Sequence, residues 1–586
     1  MNTLIQTLLA KALSSLPEDL VPASARTVEI EVERTRDAAH GDFASNLAMR
    51  LAKTARQNPR KLAQSLLAAI PAHASITKVE IAGAGFINFF LAADAYHRQV
   101  LEILRRGEAY GRSNGGAGRR LMVEFVSANP TGPLHVGHGR HAAYGATLAN
   151  MFEAVGYRVA REYYVNDAGR QMEILAVSLW LRYLTECGEQ FAFPANAYRG
   201  DYIIPIARAL RASAGDSLRR PAADVFDDLP PDEPQGGDKD TYIDAVVLRA
   251  RELVGDAQFR GILDRVLGDI LGDIRQDLEE FGVRFDRWFS ERSLAEDGSI
   301  ERMMEKLQAS GHAYLKDGAL WFKSTDYGDE KDRVMVRENG IKTYFASDIA
   351  YVINKLARGF DHLVYIWGAD HHGYITRLRA GLDALGGPVE KFEVRLVQFV
   401  TLYRGGEKAQ MSTRSGEFVT LRDLRKEVGN DAARLFYVMR SNDQHLDFDL
   451  ELAKSRSNDN PVYYIQYAHA RVASVMRQLA DRGLEFAPAA STADLTGLRE
   501  PQEITLIKRL TQFPEIIGQC AAQRAPHTLV HYLRDVANDF HTNYSAHQLI
   551  VTDEALRNAR LSLAAAAQRV IRNGLTLLGV SAPDTM

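Results

Sequence analysis

The sequence predicts a multidomain α/β protein: a doubly wound parallel sheet of Rossmann type, an N-terminal α+β domain and a C-terminal all-α helical bundle. Three observations predict it. A chain of 586 residues is too long for a single core and suggests about three or four domains. Between Arg119 and Thr401 short apolar strands alternate with helical stretches, the pattern of a parallel sheet whose ligands sit at the carboxyl ends of its strands. From about Asn430 onward the strand signal fades and helical periodicity takes over.

Composition narrows the function classes. Hydrophobic residues at 46% and charged residues at 25% describe an ordinary globular protein. A net charge of −4 gives no overall attraction to nucleic acid, so any such surface must be a local face. Cys187 and Cys520 stand far apart, which leaves neither a disulfide framework nor a cysteine metal site. No run reaches the roughly 18–20 apolar residues of a membrane span. The start carries a helical stripe of Leu4, Ile5, Leu8, Leu9, Ala12, Leu13 and Leu16 rather than the continuous apolar block of a secretory leader. A cytoplasmic protein is expected.

In chain order, that helix precedes a half-buried strand predicted over Arg26–Arg34. Further strands follow at Lys78–Ile81 and Phe86–Leu91, with helical stretches after Gly41-Asp42-Phe43. This first domain spans residues 1–106. Arg106–Gly118, RGEAYGRSNGGAG, has the composition of a linker. The nucleotide-type domain spans 119–429, with helical insertions over about 185–290. Its expected strands are Val123 onward, Tyr157–Val165, the strand-like stretch 281–291, His362–Gly368 and Val394–Thr401. The tract Arg219–Thr241 is acidic and rich in proline and glycine, and reads as a surface loop. The last domain spans 430–586. There Asn460 caps and Pro461 opens a helix on which Tyr463, Tyr467 and Arg471 fall four apart, on one face. That face suits either a helix bundle or the stacking of unpaired bases.

The stretch VEFVSANPTGPLHVGHGRH, Val123–His141, organises the rest. It reads as a strand, a tight turn and a helix N-terminus, where free amide N–H groups and the positive dipole end favour an anion. His135 and His138 can both donate to a phosphate there, and Gly137 leaves the approach open. A short His-x-x-His pair alone would equally suit a metal or a structural turn. Glu124 is a carboxylate within an apolar strand, costly to bury without a cation, whether that cation is a ligand or a protein Lys or Arg.

His135-Val136-Gly137-His138 resembles the histidine signature of class I aminoacyl-tRNA synthetases. The longer SANPTGPLHVGHGRH, with EYYVNDAGRQ at 162–171, resembles the arginyl-tRNA synthetases in particular. The resemblance implies activation of L-arginine with ATP to arginyl-adenylate and its transfer to the 3′-terminal adenosine of tRNA(Arg). It implies Mg2+ as cofactor, no transition metal, and a monomer. It implies that residues 1–106 touch the tRNA and that 430–586 hold its anticodon stem and loop through Tyr463, Tyr467 and Arg471. ATP would meet His135, Gly137, His138, Gly368, Asp370, His371, Met411 and Ser412. Arginine would meet Glu124, Asn129, His135, Tyr344, Asp348 and His371.

A second signature, Lys-Met-Ser-Lys-Ser, corresponds to Gln410-Met411-Ser412-Thr413-Arg414, and both lysines are absent. The upstream turn, Thr131-Gly132-Pro133, supplies no lysine either. Arg414 or Lys408, just upstream, can supply the cation; Arg414, adjacent and always charged, is the expected catalytic cation beside His135 and His138. Two alternatives remain open on the sequence: a small-molecule nucleotidyltransferase or ligase, which the long helical C-terminal half opposes, and an inactive tRNA-binding paralogue, which the missing lysines favour.

Overall fold

The computed structural model describes residues 1–35, 37–409 and 419–586. The N-terminal domain comprises α1 (Asn2–Ser15), β1 (Glu33–Arg34), β2 (Phe43–Ser45), α2 (Leu47–Ala55), α3 (Pro59–Ala69), β3 (Ile76–Ala82), β4 (Phe86–Leu91) and α4 (Ala93–Arg106). Its strands pair antiparallel in the order β1-β2-β4-β3. Of the strand expected over Arg26–Arg34 only the last two residues pair. The Arg26 guanidinium instead binds the carbonyls of Ser14, Leu16 and Val21, tying this segment to the end of α1.

The central domain is built on β5 (Arg120–Glu124), α5 (Val136–Ala154), β6 (Arg158–Val165), α6 (Arg170–Glu186), α7 (Ile203–Ala214), α8 (Ala222–Phe226), α9 (Lys239–Val254), α10 (Asp256–Glu280) and β7 (Arg287–Ser290). There follow α11 (Arg292–Glu296), α12 (Ser299–Ala309), the hairpin strands β8 (Ala313–Lys316), β9 (Ala319–Phe322) and β10 (Arg333–Val336), then α13 (Tyr344–Ala357), β11 (His362–Gly368), α14 (Tyr374–Ala384) and β12 (Phe392–Val397). The main sheet is parallel throughout, in the order β12-β11-β5-β6-β7. From β5 the chain steps outward through β6 and β7, then returns to lay β11 and β12 on the other side. The order therefore reverses between β5 and β11, where a doubly wound sheet opens a cleft.

Two expectations are corrected here. Val394–Thr401 is not one strand: β12 ends at Val397, and β13 (Val400–Arg404) joins β14 (Glu407–Lys408) and β15 (Leu446–Asp449) in a separate sheet. Gln398 breaks the run because its N–H donates to the Asn442 carbonyl. The tract Arg219–Thr241 is more than a loop: it holds α8, whose Val225 is fully buried, and Asp232, buried where its carboxylate accepts the N–H groups of Ala195 and Glu233.

The chain continues through α15 (Leu421–Val428), α16 (Asn430–Val438) and α17 (Leu450–Lys454) to a bundle of α18 (Pro461–Asp481), α19 (Pro501–Leu510), α20 (Phe513–Gln523), α21 (Pro526–Ala546) and α22 (Glu554–Leu578). Asn460 caps α18 by accepting the Val462 N–H, and Pro461 stands in its first turn. The stretch read as a linker is docked: Tyr110 is buried, and Asn573 of α22 binds the carbonyls of Gly107 and Tyr110 at 3.0 and 3.1 Å. The N-terminal domain also meets the bundle through Arg34–Glu515 and Lys508–Asp42.

Candidate active site

The cleft at the switch point encloses about 640 Å³. On its floor, β5 ends in a three-residue turn closed by the Ser127 N–H on the Phe125 carbonyl at 3.0 Å. Val126 takes φ 66° and Ser127 φ 39° there, an uncommon conformation for a β-branched residue. The turn brings Glu124, Ser127 and Asn129 into the lining.

At the start of α5, His135 is the N-cap. Its Nδ1 accepts the Gly137 N–H at 3.1 Å, while His138 Nδ1 accepts the His135 N–H at 3.3 Å, a reciprocal capping box. The two rings stack with centroids 3.6 Å apart. Because each Nδ1 accepts, the proton of each neutral ring sits on Nε2. Burial lowers both pKa values, most strongly for His138, where His135 and His141 add to the effect. Burial, with the neighbouring His135 and Arg140, also drives His141 down to about 4. These imidazoles are neutral donors at pH 7, not cations.

The carboxylates near the cleft divide into two kinds. Glu124 forms an ion pair with the fully buried Lys355 of α13 and accepts the Ser127 hydroxyl at 3.1 Å. Glu162 of β6, although burial acts to raise its pKa, is held below the ordinary value by Arg358, which binds both its oxygens, and by Tyr351. Each of these charges is matched within the protein.

Asp348 and Glu291 are not. Asp348 accepts the Tyr374 hydroxyl at 2.5 Å and makes no ion pair among the described residues. Glu291, directly after β7 and 6% exposed, lies against Ser347 and Tyr164, yet its Oε2 lacks a well-formed hydrogen bond among the described residues. Burial raises each to about 7; Glu124 adds to the rise at Asp348, and Asp348 adds to that at Glu291. The hydroxyl of Tyr365, also in the lining, is buried with no hydrogen-bond partner among the described residues. Two carboxyls and an orphaned hydroxyl around one space call for a ligand that is cationic and rich in N–H donors.

Of the residues expected at the site, Glu124, Asn129, His135, Gly137, His138, Tyr344, Asp348, Gly368, Asp370 and His371 all line this cleft. Tyr344 and Asp348 share a face of α13, Tyr344 at the rim and 52% exposed. Met411, Ser412 and Arg414 lie outside the described residues. Tyr463 and Tyr467 stack at 5.8 Å on α18, away from the cleft. Arg471 is clamped between the Tyr467 and Tyr544 rings, at 4.3 and 4.7 Å, and donates to the Tyr467 hydroxyl. Sequence reasoning missed Glu291, Tyr365, Tyr374 and Lys355. A carboxylate just past the strand RWFS was a usable signal for Glu291, by the rule that ligands meet strand ends.

Among the described residues no three His, Cys, Asp or Glu gather as a metal site, and no helix is long and apolar enough to cross a membrane.

A parallel sheet opened at its switch point, with a neutral histidine pair capping the helix after its central strand, defines the catalytic domain of a class I tRNA synthetase. The family profile described as "tRNA synthetases class I (R), catalytic domain" matches residues 99–189 and 249–455. On either side, "Arginyl tRNA synthetase N terminal domain" matches 3–91 and "DALR anticodon binding domain" matches 465–586. The chain belongs to the arginyl-tRNA synthetases. It is 56% identical over 586 residues to the arginine–tRNA ligase of Thioalkalivibrio sulfidiphilus and 54% identical over 586 residues to that of Legionella pneumophila, each alignment covering 100% of both chains. In fold it matches the arginyl-tRNA synthetase of Thermus thermophilus with a TM-score of 0.73 at 23% identity, over 100% of each chain.

Proposed function

We propose that the switch-point cleft activates arginine, with its guanidinium held between Asp348 and Glu291. The chain is an aminoacyl-tRNA ligase that uses ATP to join arginine to tRNA. In the first step a carboxylate oxygen of arginine bonds to the α-phosphorus of ATP and pyrophosphate leaves. In the second a ribose hydroxyl of the tRNA 3′-terminal adenosine takes the arginyl group and AMP leaves. Neither step needs a covalent bond to the protein; positioning and electrostatics suffice.

The observation that carries the reading is the unmatched carboxyl pair, since a planar guanidinium satisfies two carboxylates at once. Tyr344 would cover its face at the rim. Glu124, already matched by Lys355, is left as a hydrogen-bond acceptor for the substrate ammonium beside Asn129. His135 and His138 would donate Nε2–H to phosphate, with Gly137 and the start of α5 adding amide dipoles. Adenosine would lie along Gly368, Asp370 and His371. Mg2+ would arrive on the ATP phosphates, as a hard ion that keeps its waters. Because the histidines are neutral, the phosphate cation falls to Arg414, with Met411 and Ser412 beside ATP. Residues 1–106, 119–429 and 430–586 serve as tRNA-contacting, catalytic and anticodon domains of a cytoplasmic monomer, with Tyr463, Tyr467 and Arg471 on the tRNA face.

ATP–pyrophosphate exchange with each common amino acid, run with and without tRNA, tests this. Exchange with arginine alone is expected. Exchange driven by another amino acid, or none while tRNA still binds, would reject it, the latter in favour of a binding paralogue.

A further inference from the structure

Residues 190–248 fall between the two stretches matched by the class I (R) catalytic profile. In the structure they brace a turn beside the cleft. Tyr202, the residue before α7, donates its hydroxyl to the Thr131 carbonyl. Its ring lies against Gly132 so closely that a Cβ there would meet it at 3.2 Å. The segment is anchored from below: Arg170, opening α6, pairs with Asp240 at 2.8 Å and Asp244 at 2.7 Å, Asn196 binds the same Asp240 at 2.9 Å, and the Tyr198 N–H binds Ser178 at 2.9 Å.

The braced turn matters because of what it joins. Asn129-Pro130-Thr131-Gly132-Pro133 connects Asn129 to His135, and both line the cleft. Its two prolines contribute no N–H, and Thr131 closes it locally with a single bond to the Asn129 carbonyl at 2.8 Å. A turn so short of its own hydrogen bonds takes its shape from outside. Asn129 is further fixed by Gln171 and Asn166, at 3.1 and 3.2 Å, from the same β6–α6 corner that anchors the insertion through Arg170.

We propose that Tyr202 is a positioning residue for arginine activation, through which the 190–248 insertion holds the Asn129–Pro133 turn in the shape that presents Asn129 and His135 to the substrates. Tyr202→Phe keeps the ring and removes the hydroxyl, and Tyr202→Leu removes both. Steady-state exchange kinetics, equilibrium tRNA binding and thermal melting are measured on the full chain. The expected result for Tyr202→Phe is a loss of roughly three- to tenfold in kcat/KM for arginine, the size of one lost hydrogen bond. That loss should come mainly through KM, with melting temperature and tRNA affinity unchanged. Gly132→Ala, which presses a methyl into the ring, should cause a similar loss, and less of one in a Tyr202→Leu background. Wild-type constants for Tyr202→Phe would overturn the proposal. So would a lowered melting temperature with KM unmoved, which marks a merely structural contact.

Discussion

Asp348 and Glu291 share a buried space and make no ion pair among the described residues, and burial there lifts their carboxyl pKa values to about 7. A guanidinium favours their ionised forms, so arginine binding must release protons below about pH 7. The KM for arginine is expected to fall as pH rises from 6 to 8, by up to about tenfold per unit for each proton released. Isothermal calorimetry in buffers of different ionisation enthalpy would count those protons; a buffer-independent heat at pH 6.5 would contradict the assignment. Asp348→Asn and Glu291→Gln should each raise the KM for arginine about a hundredfold or more, with the KM for ATP little changed, as steady-state exchange would show. The sign for stability is the opposite. A carboxyl whose pKa is raised in the folded state costs nothing below its unfolded pKa; the destabilisation builds as pH rises from about 4 to about 7 and is constant above that. The apo amide variants should therefore gain up to about 3–4 kcal/mol over the wild type at pH 8 and close to nothing at pH 4, by denaturant unfolding.

Helix α5 joins the site to the rest of the molecule. Its first turn carries the histidines, and its body is buried on most sides, with small residues where neighbours come close. A Cβ on Gly145 would lie 2.4 Å from the Phe125 ring, on the chain between β5 and the strained turn. Gly145→Ala is expected to cost about 1–3 kcal/mol through overpacking, partly offset by the roughly 1 kcal/mol gained from alanine's better helix propensity. It should also lower kcat for exchange by shifting the histidines; an unchanged kcat would separate α5 packing from the site. Nearer its start, the buried Arg140 donates to the carbonyls of Gln398, Ser441 and Gln444, fixing the cleft's far wall to this helix.

At the scale of the whole chain, the cleft and the stacked tyrosines of α18 lie apart, and the roles proposed for them should fail separately. Tyr463→Ala is expected to weaken tRNA binding by about 1–3 kcal/mol, the range for one stacked base, and to leave equilibrium arginine binding at the wild-type level. Filter-binding and calorimetry would read the two. Loss of arginine binding would show instead that the variant disturbs the fold. Tyr467 is a less clean probe, since it also holds Arg471.

The strand ends and the histidine-bearing turn were legible in the sequence because both are local patterns: an apolar run and a capped helix start. His362–Gly368 and Phe86–Leu91 were bounded as the structure has them for the same reason. What only the tertiary structure decided is which carboxylate has a partner. Glu124 reads from sequence as the costly charge in an apolar strand, yet Lys355, 231 residues away, neutralises it. Glu291 reads as an ordinary strand-end residue, yet packing beside Asp348 leaves it unmatched. Likewise Arg26 leaves its expected strand for carbonyls at the end of α1, and Tyr202 reaches Thr131 across 71 positions. Local periodicity and turn chemistry set the elements, because they act between near neighbours. The balance of buried charge is a sum over residues that meet only when the chain has folded.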